Sequence, residues 1–234
     1  MGPLRAAGWW ILDYAYALVW QTRALFDRTD PASYTTGTRD PVIILPGIYE
    51  TWKFMQPIVE ELHNRGHPVH VLEMLERNLH PVAEMADLVT EYLRRNRMRD
   101  VTLVAHSKGG LAGKLVMIGT AGDQVRGMVA VATPFGGSRY ARMIPSRTLR
   151  ALAPMDPVIL TLGRELATNR KIVSIYARFD PHIPEGSELS GATNIRVNTG
   201  GHFLILAHPR VIEELGTLSG RSSPDDPTCM DGMD

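Results

Sequence analysis

The run Ala105-His106-Ser107-Lys108-Gly109-Gly110 sets a hydroxyl between small residues two positions before it and two after. A sharp strand-to-helix turn demands that spacing: the backbone reverses at the serine, the flanking positions pack closely, and the hydroxyl projects clear of the sheet. At neutral pH a serine hydroxyl attacks a carbonyl only when a neighbouring base takes its proton, and the base needs an acid to orient it. Two later segments offer these partners in the order serine, acid, histidine. Asp180 stands in Phe179-Asp180-Pro181-His182-Ile183-Pro184, and His202 in Thr199-Gly200-Gly201-His202-Phe203. With Ser107, Asp180 and His202 as catalytic residues, the predicted chemistry is acyl transfer through a covalent serine ester.

An oxyanion developing on the substrate needs N–H donors. The backbone N–H of Lys108, directly after the serine at a helix start, is one expected donor, and the lysine side chain need take no part. The second is expected from the turn Leu45-Pro46-Gly47-Ile48-Tyr49, with Gly47 letting the backbone approach the site and Ile48 N–H donating. Gly47, Tyr49, Phe135 and Phe203 lie on the turns around these groups and are the expected substrate-binding residues. Asp156, in a proline-rich connection, is the weaker choice of acid. His106 should point away from the site, and His182 should serve loop structure. The other histidines (His63, His67, His70, His80 and His208) have no metal-like partners, and neither a metal nor an organic cofactor is expected.

Those residues need elements to hold them. Apolar runs at 41–47, 67–72, 101–105, 125–133, 171–177 and 193–197 read as strands. Between them lie helix-period segments. One carries Phe54, Ile58 and Leu62 with Gly66 past its end; the next carries Val82, Met85, Ala86, Val89, Tyr92 and Leu93. Leu111, Leu115 and Ile118 mark a third, and Val211, Ile212 and Leu215 a last one starting near Pro209. Apolar strands joined by helices imply an α/β fold with a mostly parallel central sheet and helices on both faces. In such sheets reactive groups gather on the loops at the carboxyl ends of the strands. The serine, the acid and the histidine each fall on such a loop.

With these motifs in place, the stretch from about Pro41 to Leu218 resembles the α/β-hydrolase superfamily, in its lipase and esterase branch. Ala-His-Ser-x-Gly-Gly, with alanine at the usual first glycine, is similar to the small bacterial lipases of the Bacillus type. Pro46-Gly47-Ile48 stands where that family has His-Gly-Ile, which points to Ile48 as an oxyanion donor. Ala132-Thr-Pro-Phe-Gly-Gly-Ser138 and the loop from Gly201 to Leu206 resemble two further family segments. The sequence departs from the family at Lys108, where methionine or leucine is commoner, at Pro46, and in a longer stretch between Ser138 and Lys171. The resemblance implies an α/β-hydrolase fold with a small helical cap between the fourth and fifth strands. It also implies a carboxylic-ester hydrolase acting on short-to-medium acyl or lipid esters, with no cofactor.

Composition bounds the rest. The 234 residues carry 25 Lys+Arg against 25 Asp+Glu, for zero formal charge, and no basic face for nucleic acid is expected. One cysteine, Cys229, excludes a disulfide scaffold and a Cys-based zinc cluster, and lends no support to secretion. The expected organisation is an aromatic-rich helix and linker over 1–38, a hydrolase domain over 39–218 with a cap near 138–170, and a disordered tail over 219–234. Three of the four tryptophans lie between Gly8 and Trp20. A helix over 6–20 would be apolar almost all round but too short to span a bilayer, and Asp13 interrupts it. It is expected to pack on the domain, with contact between residues 4–26 and a membrane surface, or a cleaved or spanning segment, as the rivals, in a cytoplasmic protein that is membrane-associated if the contact forms. The cap reads either as a basic lid over an acyl pocket or as a plain helical connection. Two other functions stay open: an acyltransferase using the same triad, and a silent membrane-tethered binding module.

Overall fold

The computed structural model describes residues 2–143 and 146–217. The expected disordered tail, 219–234, lies outside the described residues.

The apolar runs form six strands: β1 (Val42–Leu45), β2 (Val69–Val71), β3 (Val101–His106), β4 (Val125–Val131), β5 (Ile172–Phe179) and β6 (Thr193–Gly200). They lie in the order β2-β1-β3-β4-β5-β6, with every neighbouring pair parallel. Side chains alternate between the sheet's two faces. Ile43, Leu45, Leu103, Ala105, Met128 and Ala130 therefore enter one core layer, and Val42, Ile44, Val104, Val129 and Val131 the other. Each strand of this central part is covered twice, which is why it reads as an unbroken apolar run.

Among the described residues seven α-helices accompany the sheet: α1 (Pro3–Phe26), α2 (Gln56–Asn64), α3 (Val82–Arg95), α4 (Lys108–Ile118), α5 (Arg147–Arg150), α6 (Pro157–Arg164) and α7 (Pro209–Thr217). The first core layer takes Met85, Val89 and Leu93 of α3, Leu111 and Val116 of α4, and Ile159 and Leu162 of α6. The second takes Ile58 and Leu62 of α2 and Val211 and Leu215 of α7. Between β4 and β5, helices α5 and α6 with two short 3₁₀ turns make the small helical cap. Asp156 caps α6 by accepting the Val158 N–H at 2.9 Å, a structural role away from the acid's position.

Several boundaries differ from the sequence reading. β2 starts only at Val69, because Pro68 has no N–H to give the ladder. The segment from Phe54 begins as a 3₁₀ turn, Trp52–Met55, before α2 takes over. β6 runs on to Gly200, paired with Phe179, which brings the strand end up to His202. The N-terminal helix is also longer than 6–20, at 24 residues. Among the described residues no helix is long and apolar enough to cross a membrane. α1 packs instead on the 3₁₀ turn at Trp52–Met55, the end of β6 and the turn Leu204–Ala207. Tyr16 meets Phe54 edge to face, with ring centroids 6.1 Å apart. This places α1 beside the carboxyl ends of the strands.

Candidate active site

β3 ends at His106 and α4 begins at Lys108, so Ser107 must turn the chain alone. It does so at φ +51° and ψ −122°, a conformation that side chains with a Cβ rarely adopt. Its N–H is held by the Val131 carbonyl at 2.9 Å. The flanking glycines are there for space: a Cβ on Gly109 would lie 2.2 Å from the Leu45 carbonyl oxygen, and one on Gly110 2.0 Å from Thr133 Oγ1. α4 can thus press against the end of β1, bringing Ser107 near the turn that follows that strand.

The structure brings Ser107, His202 and Asp180 into one hydrogen-bonded line. His202 Nε2 lies 2.9 Å from Ser107 Oγ, and Nδ1 lies 2.8 Å from Asp180 Oδ2. The other carboxylate oxygen of Asp180 accepts the N–H groups of His182 at 2.8 Å and Ile183 at 3.1 Å. With carboxylate oxygens that only accept, the His202 proton sits on Nδ1 and Nε2 offers its lone pair to the hydroxyl. Burial alone would raise the Asp180 carboxyl, but His202 beside it and the His182 N–H hold it below the usual carboxylate range. Burial alone would lower the His202 imidazole, but Asp180, assisted by Glu50 and Asp13, lifts it above the ordinary value of 6.5.

Ser107, His202 and Ile48 open together onto a cavity of about 600 Å³, with Tyr49 and Phe203 also in its wall. Lys108 is the first residue of α4, where helix N–H groups have no intrahelical acceptor. Its ammonium is buried and turned away, bonded to the carbonyls of Asn78 at 2.5 Å and His80 at 2.7 Å, and burial pushes it down to about 8. Two of the expected substrate-binding residues lie outside the cavity wall. Phe135 is 5% exposed within the core layer under α4, and Pro134 lines the cavity in its place. Gly47 does not line the cavity either: its N–H donates to Glu50 Oε2 at 2.7 Å, and a Cβ there would meet both Glu50 carboxylate oxygens at 2.9 Å. Glycine at 47 leaves room for the Glu50 carboxylate.

Other residues at the site escaped the sequence reading. Trp10, Tyr14, Ala17 and Gln21 of α1 form one wall of the cavity, and Gln21 Nε2 donates to the Tyr49 carbonyl at 3.0 Å. Asp13, fully buried, accepts the N–H groups of Phe203 at 2.7 Å and Leu204 at 2.8 Å, directly after His202. An acidic residue inside an apolar stretch was the signal for it. His182 shares a hydrogen bond with the Tyr14 hydroxyl at 3.0 Å and accepts the Ser138 hydroxyl at its carbonyl at 2.7 Å, tying α1 and the cap to the acid's loop. Burial and the neighbouring His202 push the His182 imidazole down to about 4, so it is neutral near pH 7. Asp180, His182 and His202 carry ligand atoms within 4.8 Å of one another, the distance at which a divalent cation could be held. Asp180 and His202 already satisfy each other, so a cation there would have to break their bond.

No protein-family model matches the sequence, nor does any curated protein. Solved structures do match. A lipase of Bacillus licheniformis in its mature form shares 16% identity over 81% of this chain and 94% of its own, with a TM-score of 0.60. An extracellular α/β-hydrolase from a Paenibacillus species shares 17% over 78% of this chain and 100% of its own, with a TM-score of 0.56. A bromoperoxidase from Bacillus anthracis shares 13% over 80% and 94%, with a TM-score of 0.54. The chain has the α/β-hydrolase fold. That fold hosts several chemistries, and the residues of the site determine which one a chain performs.

Proposed function

We propose that the protein is a serine hydrolase that cleaves carboxylic esters of short-to-medium acyl chains, lipid esters among them, within the lipase and esterase branch of its fold. The observation that carries this reading is the unbroken line from Asp180 through His202 to Ser107, ending at the wall of a largely apolar cavity. In this mechanism His202 Nε2 takes the Ser107 proton as Oγ bonds to the ester carbonyl carbon. The oxyanion rests on the N–H groups of Lys108 and Ile48. The intermediate collapses, the carbon–oxygen bond to the alcohol breaks, and His202 returns the proton to the departing oxygen. Water then attacks the acyl-serine with the same base, releasing the acid and restoring the hydroxyl. Asp180 holds the imidazole in the required tautomer throughout.

The cavity, about 600 Å³, falls in the ordinary range for small-molecule sites and suits acyl chains of a few to about ten carbons. The test is turnover of a p-nitrophenyl ester series from acetate to palmitate. Activity should peak at short-to-medium chains, and free acid should dominate over transesterified product when a competing alcohol is present. Absence of turnover across the series contradicts the reading, and predominance of the new ester makes the protein an acyltransferase.

Only the neutral form of His202 at Nε2 can accept the proton, so kcat/KM for a neutral ester should rise with pH. Because Asp180 lifts the His202 imidazole, the midpoint of this rise should lie above 6.5. A pH-rate profile that is flat between about pH 5 and 8 would contradict His202 as the base.

Features of α1 support contact between residues 4–26 and a lipid surface. Leu4, Ile11, Leu18 and Leu25 recur at seven-residue spacing and are 90%, 70%, 69% and 68% exposed. The charges this helix exposes are Arg5 and Arg23, while its acid, Asp13, is buried. Trp10 and Tyr14 are partly exposed and also line the cavity, so apolar surface runs from the helix to the cavity mouth. The protein should float with vesicles containing phosphatidylglycerol, and Ile11→Ser with Leu18→Ser should abolish flotation. Flotation unaltered by the double substitution would contradict this contact.

A further inference from the structure

Behind His202 lies a second titratable pair that the mechanism above does not use. The side chains of His106, at the end of β3, and Glu50, beyond the turn after β1, are 0% and 1% exposed. His106 Nε2 stands 3.0 Å from the carbonyl oxygen of His202, a group that can only accept, so Nε2 carries a proton. His106 Nδ1 stands 2.9 Å from the Glu50 carboxyl group. Two facing lone pairs would repel in a site this dry, so one proton lies between them, on the ring or on the carboxyl. Glu50 Oε2 also accepts the Gly47 N–H at 2.7 Å, and Phe54 stacks on the His106 ring at a centroid distance of 6.3 Å. A continuous chain of bonds therefore runs from the Gly47 backbone through Glu50 and His106 to the backbone of His202.

We propose that Glu50 and His106 form a positioning pair, which locks the turn carrying Ile48 to the loop carrying His202 and so fixes oxyanion donor and base relative to Ser107. The inference rests on the ester-hydrolase reading of this site and goes one step deeper into it. Gly47 immediately precedes the donor Ile48, and its N–H donates to Glu50 Oε2. His202 is held at its ring by Asp180 and at its carbonyl by His106. Removing the pair takes away the direct strut between the donor turn and the base loop, leaving only the bridge through α1 by Gln21 and Asp13, while the Asp180–His202–Ser107 line itself keeps all its members. The cost should fall on the transition state, where donor and base act together, rather than on substrate binding in the cavity.

The test uses the full chain and three substitutions, Glu50→Gln, Glu50→Ala and His106→Gln, with kcat and KM measured on p-nitrophenyl butyrate. Inhibition by butylboronic acid, which forms a tetrahedral adduct with an active serine, is measured alongside. In Glu50→Gln the amide oxygen can accept the Gly47 N–H and the amide nitrogen can donate to His106 Nδ1, so kcat should stay within about threefold of the parent. In Glu50→Ala kcat should fall about 100-fold and boronic acid binding should weaken to a similar degree, with KM changed less than about threefold. His106→Gln should resemble Glu50→Ala, and it decides the matter if Glu50→Ala fails to fold. An unimpaired Glu50→Ala or His106→Gln, a Glu50→Gln as weak as Glu50→Ala, or losses confined to KM would overturn the pair's role. An inactive parent chain removes the ester-hydrolase reading itself, whereas an active parent with an unimpaired Glu50→Ala removes this inference alone.

Discussion

Ser107→Ala is expected to lower kcat on p-nitrophenyl butyrate by about 10⁴- to 10⁶-fold while leaving the fold intact. Only Oγ is lost. The turn at φ +51° is imposed by β3 and α4 and by the bond from the Ser107 N–H to Val131, none of which involves the hydroxyl. Alanine carries the same Cβ as serine, so the backbone strain is unchanged. The cavity wall is otherwise untouched, and KM should move little. What disappears is the one atom that can bond to the acyl carbon, leaving His202 with no proton to take. Circular dichroism and the thermal midpoint should match the parent. A variant that keeps more than about a hundredth of the parent kcat would show that another group does the chemistry.

Asp13→Ala should strike stability and activity together. The Asp13 carboxylate accepts two buried N–H groups, those of Phe203 and Leu204, and nothing in an alanine replaces it. Leaving two buried donors unpaired costs about 1–3 kcal/mol each, so the loss should be about 3 kcal/mol in urea unfolding. The same bonds fasten α1 to the loop of His202. Loosening them withdraws Trp10 and Tyr14 from the cavity wall and frees the loop that holds the base. A fall in kcat/KM of about 100-fold follows, on the scale set by small misplacements of catalytic groups. Asp13→Asn keeps an acceptor oxygen and should recover most of the stability. If Asp13→Ala unfolds within about 0.5 kcal/mol of the parent, α1 is not fastened in this way.

The legible parts of this protein are those whose physics is local. Strands buried on both faces must be largely apolar, so β1, the middle of β3 and the second half of β4 announce themselves. The turn at Ser107 needs small neighbours, and Ala105, Gly109 and Gly110 supply them. Asp180 and His202 each close an apolar run, and the structure joins them to Ser107 at 2.8–2.9 Å. What stayed hidden depends on partners far away in the chain. Asp13 looks like a flaw in an apolar segment until the N–H groups of Phe203 and Leu204, 190 and 191 residues later, come to meet it. Glu50 and His106 are 56 residues apart, and no spacing rule pairs them. Gly47 reads as letting the backbone approach the site, and the structure adds that it leaves room for a side chain three residues on. Phe135 was read from its place beside a strand end, but direction decides, and that ring turns into the core. Lys114 belongs to the same class: its ammonium is buried within α4 because the Leu162 carbonyl of the cap, 48 residues away, receives it at 2.7 Å.

Stoichiometric labelling with a fluorophosphonate probe bears most directly on the Asp180–His202–Ser107 relay. The probe's phosphorus is attacked only by a serine whose proton is being drawn off, and fluoride leaves as the bond forms. Peptide mass spectrometry of the labelled chain should find one adduct per molecule, on Ser107, with labelling slowed about 1,000-fold or more in His202→Ala. A folded chain that takes up no probe, or carries the adduct on another residue, would contradict the relay.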